Sequence, residues 1–202
     1  MAQASSLGLT VTVTGFTLLL AACSPATPST NLADTIQSCA ACHGENGVPT
    51  DPTMPVIWGQ NRGYLLNQLH DFKIGHRKNE IMASIVEPLS RTDMEALATH
   101  FSQQKWPAID QTADAKSEQV AINIIDTKQC TACHHDRFQG DTIRPRLAGQ
   151  TVDYLLKTMQ DFRSHERGTS LAMSSLLRDE SDEDLKSLAT YMASKKDAIA
   201  QK

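Results

Sequence analysis

Aromatic side chains are scarce: five Phe, three Tyr and two Trp make up 5% of 202 residues. Large rings bury roughly 150–250 Å² each, so a domain cut from this chain has a thin core unless something else fills it. Positive charge is not in excess either. The net charge is −4 and the pI near 5.9, which excludes the basic face of a nucleic-acid binder. No useful stretch alternates polar and apolar residues, so no sheet is expected. There is no dinucleotide fingerprint, nucleophile elbow or metal triad, which argues against those enzyme classes. No lysine or arginine precedes Arg62.

Cysteines are few but ordered. Cys39 and Cys42 with His43, and Cys130 and Cys133 with His134, form two Cys-x-x-Cys-His units, and Cys23 stands alone. The second unit lies 91 positions after the first, and the likeness continues beyond it. Pro55, Gly59, Gln60, Tyr64, Asp71, Phe72 and Arg77 recur 90 positions on as Pro145, Gly149, Gln150, Tyr154, Asp161, Phe162 and Arg167. Met82, Ser90, Asp93 and Leu97 recur 91 positions on as Met173, Ser181, Asp184 and Leu188. An ordered series of this kind is an internal repeat. It divides the chain into a segment 1–22, a tether 23–33, a unit 34–106, a linker 107–118 and a second unit 119–198. Units this small often need a staple such as a disulfide, a metal or a cofactor.

The expected structure is all-α. Each Cys-x-x-Cys-His ends a predicted helix. Leu65, Leu66, Leu69 and Phe72, and again Leu155, Leu156, Met159 and Phe162, have helical spacing. Ser90 with Asp93 and Ser181 with Asp184 read as capping boxes with Asp in place of Glu.

Cys-x-x-Cys-His is the attachment signal for c-type haem. Residues three apart on a helix share a face, so two thiols can add to the two vinyl groups of one porphyrin. The histidine that follows is then held as a proximal iron ligand. A thioredoxin-like site expects a βαβ setting, zinc ribbons space their cysteine pairs far more closely, and structural disulfides do not require the histidines. Two haem c groups are therefore expected, covalent at Cys39, Cys42, Cys130 and Cys133, with His43 and His134 on the irons. The repeat also sorts the methionines. Only Met82 and Met173 match one another, each 39 positions after its histidine, so they are the candidate sixth ligands. The alternative is a pair of core methionines, since Met fills irregular gaps well. Thioether ligation would raise the potential. The five remaining histidines do not align within the repeat or, for His135, cannot reach the opposite face, and are expected to be solvated.

Taken together, Cys39-Ala40-Ala41-Cys42-His43-Gly44, Pro55 to Gln60, Tyr64, Phe72 to Arg77, Met82 and their second copies resemble the diheme cytochrome c4 family. The resemblance implies two tandem class I cytochrome c domains, each wrapped around one haem. It also implies that the Pro55 and Pro145 carbonyls accept the second N–H of the proximal histidines. Electron transfer with redox proteins follows: a membrane quinol–cytochrome c reductase, a terminal oxidase or a periplasmic dehydrogenase. Arg77 and Arg167 are candidates for haem propionates, or else are solvated helix-end charges. The second copy departs from the pattern: it reads Cys-His-His where the first reads Cys-His-Gly, and Ala148 stands opposite Trp58.

Leu7 to Ala22 is an uncharged apolar run of 16 residues, shorter than the roughly 20 of a membrane span and fit for a signal peptide. It ends in Leu20-Ala21-Ala22-Cys23, which resembles the bacterial lipobox. That places the protein on the periplasmic side of a membrane, lipid-anchored through Cys23, with an uncleaved anchor or a plain secretory signal as the alternatives. The expected role is an electron shuttle or an electron-transfer subunit of an oxidoreductase, not an enzyme. The competing readings are a diheme peroxidase-like enzyme and a haem-based sensor, each of which needs an open iron site.

Overall fold

The computed structural model describes Met1 and residues 31–196. Among these residues all regular structure is helical: α1 Leu32–His43, α2 Arg62–Lys73, α3 Glu80–Val86, α4 Arg91–Ser102, α5 Ala115–Lys128, α6 Thr131–His134, α7 Val152–Arg163, α8 Leu171–Leu177 and α9 Asp182–Ser194. None is long and apolar enough to cross a membrane.

The packing is a repeat. In the first half, α4 lies against α1 and α2, and α3 against α2; in the second, α9 lies against α5 and α7, and α8 against α7. Each half has its own core. Val86, Met94, Leu97 and Phe101 anchor the first. Leu155, Leu185, Leu188 and Met192 anchor the second. Both expected capping boxes are formed. Ser90 Oγ accepts from Asp93 N while Asp93 Oδ2 accepts from Ser90 N, and Ser181 with Asp184 does the same. Those caps fix where α4 and α9 start.

Two features differ from the expected pattern. The helix ahead of the second motif does not run into it. It stops at Lys128, Gln129 turns left-handed at φ 55° and ψ 41°, and a separate short α6 carries Thr131 to His134. In addition, α5 begins at Ala115, ahead of the boundary at 119 that composition suggested, because Asp114 Oδ1 caps it by accepting from Lys116 N and Ser117 N. The linker before it is not loose. Gln111 Nε2 donates to Gln150 O at 3.0 Å and Gln111 Oε1 accepts from Val152 N. Trp106, half-buried against the second half, stacks on the Arg146 guanidinium at 4.2 Å.

The turn after each motif shows why Gly44 and His135 are unequal. A Cβ on Gly44 (φ 90°) would lie 1.9 Å from Val48 O. Its counterpart His135 holds φ 63° and ψ 165°, a region that is nearly glycine-only and costs other residues on the order of 1–3 kcal/mol. Among the described residues, every positive-φ position of the first half is glycine, whereas Gln129, His135, Phe138 and His165 hold that sign in the second. His135→Gly is therefore expected to stabilise the protein by about 1 kcal/mol, read as a rise in melting temperature of the holoprotein; a fall would show that the imidazole, not the backbone, dominates there.

Candidate haem-binding site

Each cysteine pair sits where its helix can present it. Cys39 and Cys42 are on the last turn of α1, and Cys133 is on α6 with Cys130 at its N-terminus. None of the four is paired in a disulfide among the described residues. Burial pushes the Cys39 thiol up to about 11 and that of Cys130 above its ordinary value.

The histidines that follow are buried, His43 at 9% and His134 at 8% exposure. Burial lowers the pKa of both, so each imidazole is neutral near pH 7. His43 Nδ1 lies 2.8 Å from Pro55 O and His134 Nδ1 lies 3.3 Å from Pro145 O. A carbonyl only accepts, so each Nδ1 carries the proton and each Nε2 keeps a lone pair for a metal.

Met82 and Met173 stand at equivalent places. Met82 N donates to the Asn79 side chain that caps α3, and Met173 N donates to the Ser170 side chain that caps α8. Each packs at the edge of its own core. Lys73 Nζ then ties down the loop after α3 by donating to Glu87 O and Leu89 O, both at 2.6 Å. In the second half Arg163 plays that part, donating to Glu180 O and Asp182 Oδ1.

One cavity of about 870 Å³ runs through both halves, and Cys39, His43 and Met82 line one end while Cys130, His134 and Met173 line the other. Where the ends meet, four matched residues cross the pseudo-twofold. Arg77 Nη2 donates to Tyr154 OH and Arg167 Nη2 to Tyr64 OH, each at 3.1 Å. Gln68 Oε1 accepts from both guanidiniums. Each arginine also lies over a ring of its own half, Phe72 at 4.5 Å and Phe162 at 4.6 Å.

No carboxylate among the described residues pairs with either guanidinium, although Arg167 is only 4% exposed and its Nη1 is buried without a partner. Burial opposes ionisation of Tyr154, yet the two guanidiniums outweigh it and hold its hydroxyl below the usual phenol range; burial pushes Tyr64 up. An unmatched buried cation is costly. The alternative of a solvated helix-end charge is thus closed for Arg167.

The residues therefore fit a haem in each half. Two cysteine sulfurs stand at one helix end, a lone-pair nitrogen and a thioether line the same apolar space, and two guanidiniums without a carboxylate partner among the described residues lie at the junction. Of the other histidines, His70, His76, His135 and His165 are exposed and His100 is half-buried at the ring edge of Phe101. Cys23 and the segment 2–30 lie outside the described residues.

The loop leading to Pro145 is set by Asp141, which accepts from Arg144 N, Ile143 N and the Arg144 guanidinium. Hydrogen bonding to the Arg144 backbone, first, brings its pKa down to about 2. A lowered carboxylate pKa adds stability above its ordinary value of 3.8, and that stability drains away as pH falls toward about 2. Amide exchange at Ile143 and Arg144, corrected for its intrinsic pH dependence, is expected to accelerate over that window; Asp141→Asn should abolish the change.

No family model matches the chain. It is 32% identical over 173 residues to cytochrome c4 of Stutzerimonas stutzeri, covering 76% of this chain and 82% of that one. It is 31% identical over 170 residues to the thiosulfate dehydrogenase electron acceptor of Stutzerimonas stutzeri strain A1501, covering 77% and 78%. Among solved structures, reduced recombinant cytochrome c4 from Pseudomonas stutzeri superposes with a TM-score of 0.72 at 28% identity, covering 82% of this chain and 99% of that one.

Proposed function

The chain belongs to the cytochrome c4 family and is a diheme electron carrier with two haem c groups, and from that premise we propose how its residues divide the work. Bound there, each haem supplies a one-electron ferric/ferrous couple. Cys39 and Cys42 hold the first and Cys130 and Cys133 the second. His43 and Met82, and His134 and Met173, are the axial pairs, and Arg77 and Arg167 meet the propionates. Unit 34–106 is one domain and unit 119–198 the other, with 107–118 strapped between them. The observation that carries this reading is the repeat of every element of the site in register, from thiols to methionine, around one continuous cavity.

Redox proteins are its partners. A relative is named as the electron acceptor of thiosulfate dehydrogenase, which supports a dehydrogenase as the kind of donor; the place proposed for this chain is on the periplasmic side, between such a dehydrogenase or a quinol–cytochrome c reductase and a terminal oxidase. The Leu20-Ala21-Ala22-Cys23 sequence supports a lipid anchor there. This reading makes the chain a carrier rather than an enzyme.

The test is the visible spectrum of the dithionite-reduced holoprotein before and after carbon monoxide. Closed irons leave it unchanged. A shift in half the haem would mean that one thioether does not ligate, and a peroxidase-like or sensing role would replace the carrier.

A further inference from the structure

We infer that Gln60 and Gln150 are crossed positioning residues: each sets the strength of the hydrogen bond that holds the proximal histidine of the opposite half. The inference rests on the reading of His43 and His134 as iron ligands.

Gln150 belongs to the second half, and its side-chain oxygen accepts from Thr151 N there at 2.9 Å, yet both ends of its amide also reach the first half. Its Oε1 accepts from Val56 N at 2.8 Å and its Nε2 donates to Val56 O at 3.0 Å. Gln60 mirrors this. Its Oε1 accepts from Arg146 N at 2.7 Å and its Nε2 donates to Arg146 O at 2.9 Å. Both glutamines are buried, at 3% and 2% exposure, so neither contact is a loose surface bond.

Val56 and Arg146 directly follow the prolines whose carbonyls meet the histidines. The Val56 N–H and the Pro55 C=O are therefore one peptide group, as are the Arg146 N–H and the Pro145 C=O. An acceptor on the N–H of a peptide pushes electron density onto its oxygen, and linked hydrogen bonds strengthen one another by about 10–30%. Gln150 Oε1 thereby makes Pro55 O a better acceptor for His43 Nδ1–H, and Gln60 Oε1 does so at Pro145 for His134. A histidine whose second N–H is held more strongly is a more basic ligand and favours ferric iron. The two halves are joined at the point where each ligand is tuned.

The experiment is Gln150→Met in the holoprotein, a substitution close in volume without the amide. Two quantities are read by half: the midpoint potential of each haem, and the Nδ1–H resonances of His43 and His134 in the reduced protein. The oxidation equilibrium of the haem on Cys39 and Cys42 is expected to move about three- to tenfold toward ferrous, tenfold being about 59 mV for one electron. The His43 Nδ1–H resonance should move upfield while that of His134 stays. Gln60→Met should give the mirror result. Thr151→Val, which removes the bond from Thr151 Oγ1 to Met54 O across the same junction, should move neither. If Gln150→Met fails to fold, Gln150→Asn, which retracts the amide by one methylene, should shift the same haem in the same direction. A larger shift in the half that carries the substitution, or less than a twofold change in both, overturns the inference. In the ferric wild type, paramagnetic shifts on the His43 and His134 ring protons mark ligation. Their absence overturns the ligand reading; their presence without a crossed shift overturns only the crossed one.

Discussion

Replacing Cys130 and Cys133 by serine is expected to abolish cooperative unfolding of the second half. The core there is thin in rings. Phe138 and Phe162 are its buried aromatics, and the rest is aliphatic or methionine. Space that loses its filling costs about 24 cal/mol per Å³. The two halves share roughly 870 Å³ of such space, far more than one truncated core side chain leaves. Whole small proteins are stable by only about 5–15 kcal/mol, so neither half tolerates the loss by repacking alone. Arg167 adds to the cost, because its buried guanidinium would face a wet or collapsed cavity with Tyr64, Gln68 and Thr169 as hydrogen-bond partners and no carboxylate among the described residues. Calorimetry of the variant should show one transition, smaller in enthalpy than that of the wild type, and circular dichroism should show a loss of helix before it. Reciprocal serines at Cys39 and Cys42 should do the same to the first half. A variant that melts as a single unit at the wild-type temperature would show that apolar packing, not the cofactor, holds the domain.

The parts of this fold that follow local rules were legible before any coordinates. The capping boxes at Ser90 and Ser181 depend on residues three apart, and both are present. The pairs Met82 with Met173 and Pro55 with Pro145 emerged because the repeat compares each position with its own copy. What escaped depends on how the halves dock. Gln60 and Gln150, like Tyr64 and Tyr154, were visible as matched residues, but a repeat shows that two positions are equivalent and not that each reaches across to the other half. Trp106 had no copy to mark it, and its packing against Arg146 and Gly149 is a tertiary contact without periodicity. The break at Gln129 is of the same kind. A left-handed glutamine carries no turn signature, yet Gln129 closes α5 with its N–H on Ile125 O.

Met82→His and Met173→His should each lower the potential of one haem and leave the other nearly unmoved. A thioether favours ferrous iron, whereas a second imidazole favours ferric. Axial ligands span about 0.8 V in all, and this exchange is expected to use on the order of 0.2 V of it. At about 59 mV per tenfold, that is more than three decades in the equilibrium between halves. The backbone around each methionine makes the exchange local. Met82 N is held by the Asn79 side chain and Met173 N by Ser170, so the side chain changes while its helix start does not. Redox titration of Met82→His should resolve two well-separated steps, with the haem on Cys39 and Cys42 oxidised first; Met173→His should reverse the order. The corresponding alanines separate ligation from packing. Met82→Ala should let carbon monoxide bind half of the reduced haem, whereas a core methionine lost at the same place would lower stability and leave the carbon monoxide spectrum unchanged. That contrast decides between the two roles that spacing alone allows these residues, and it does so separately in each half.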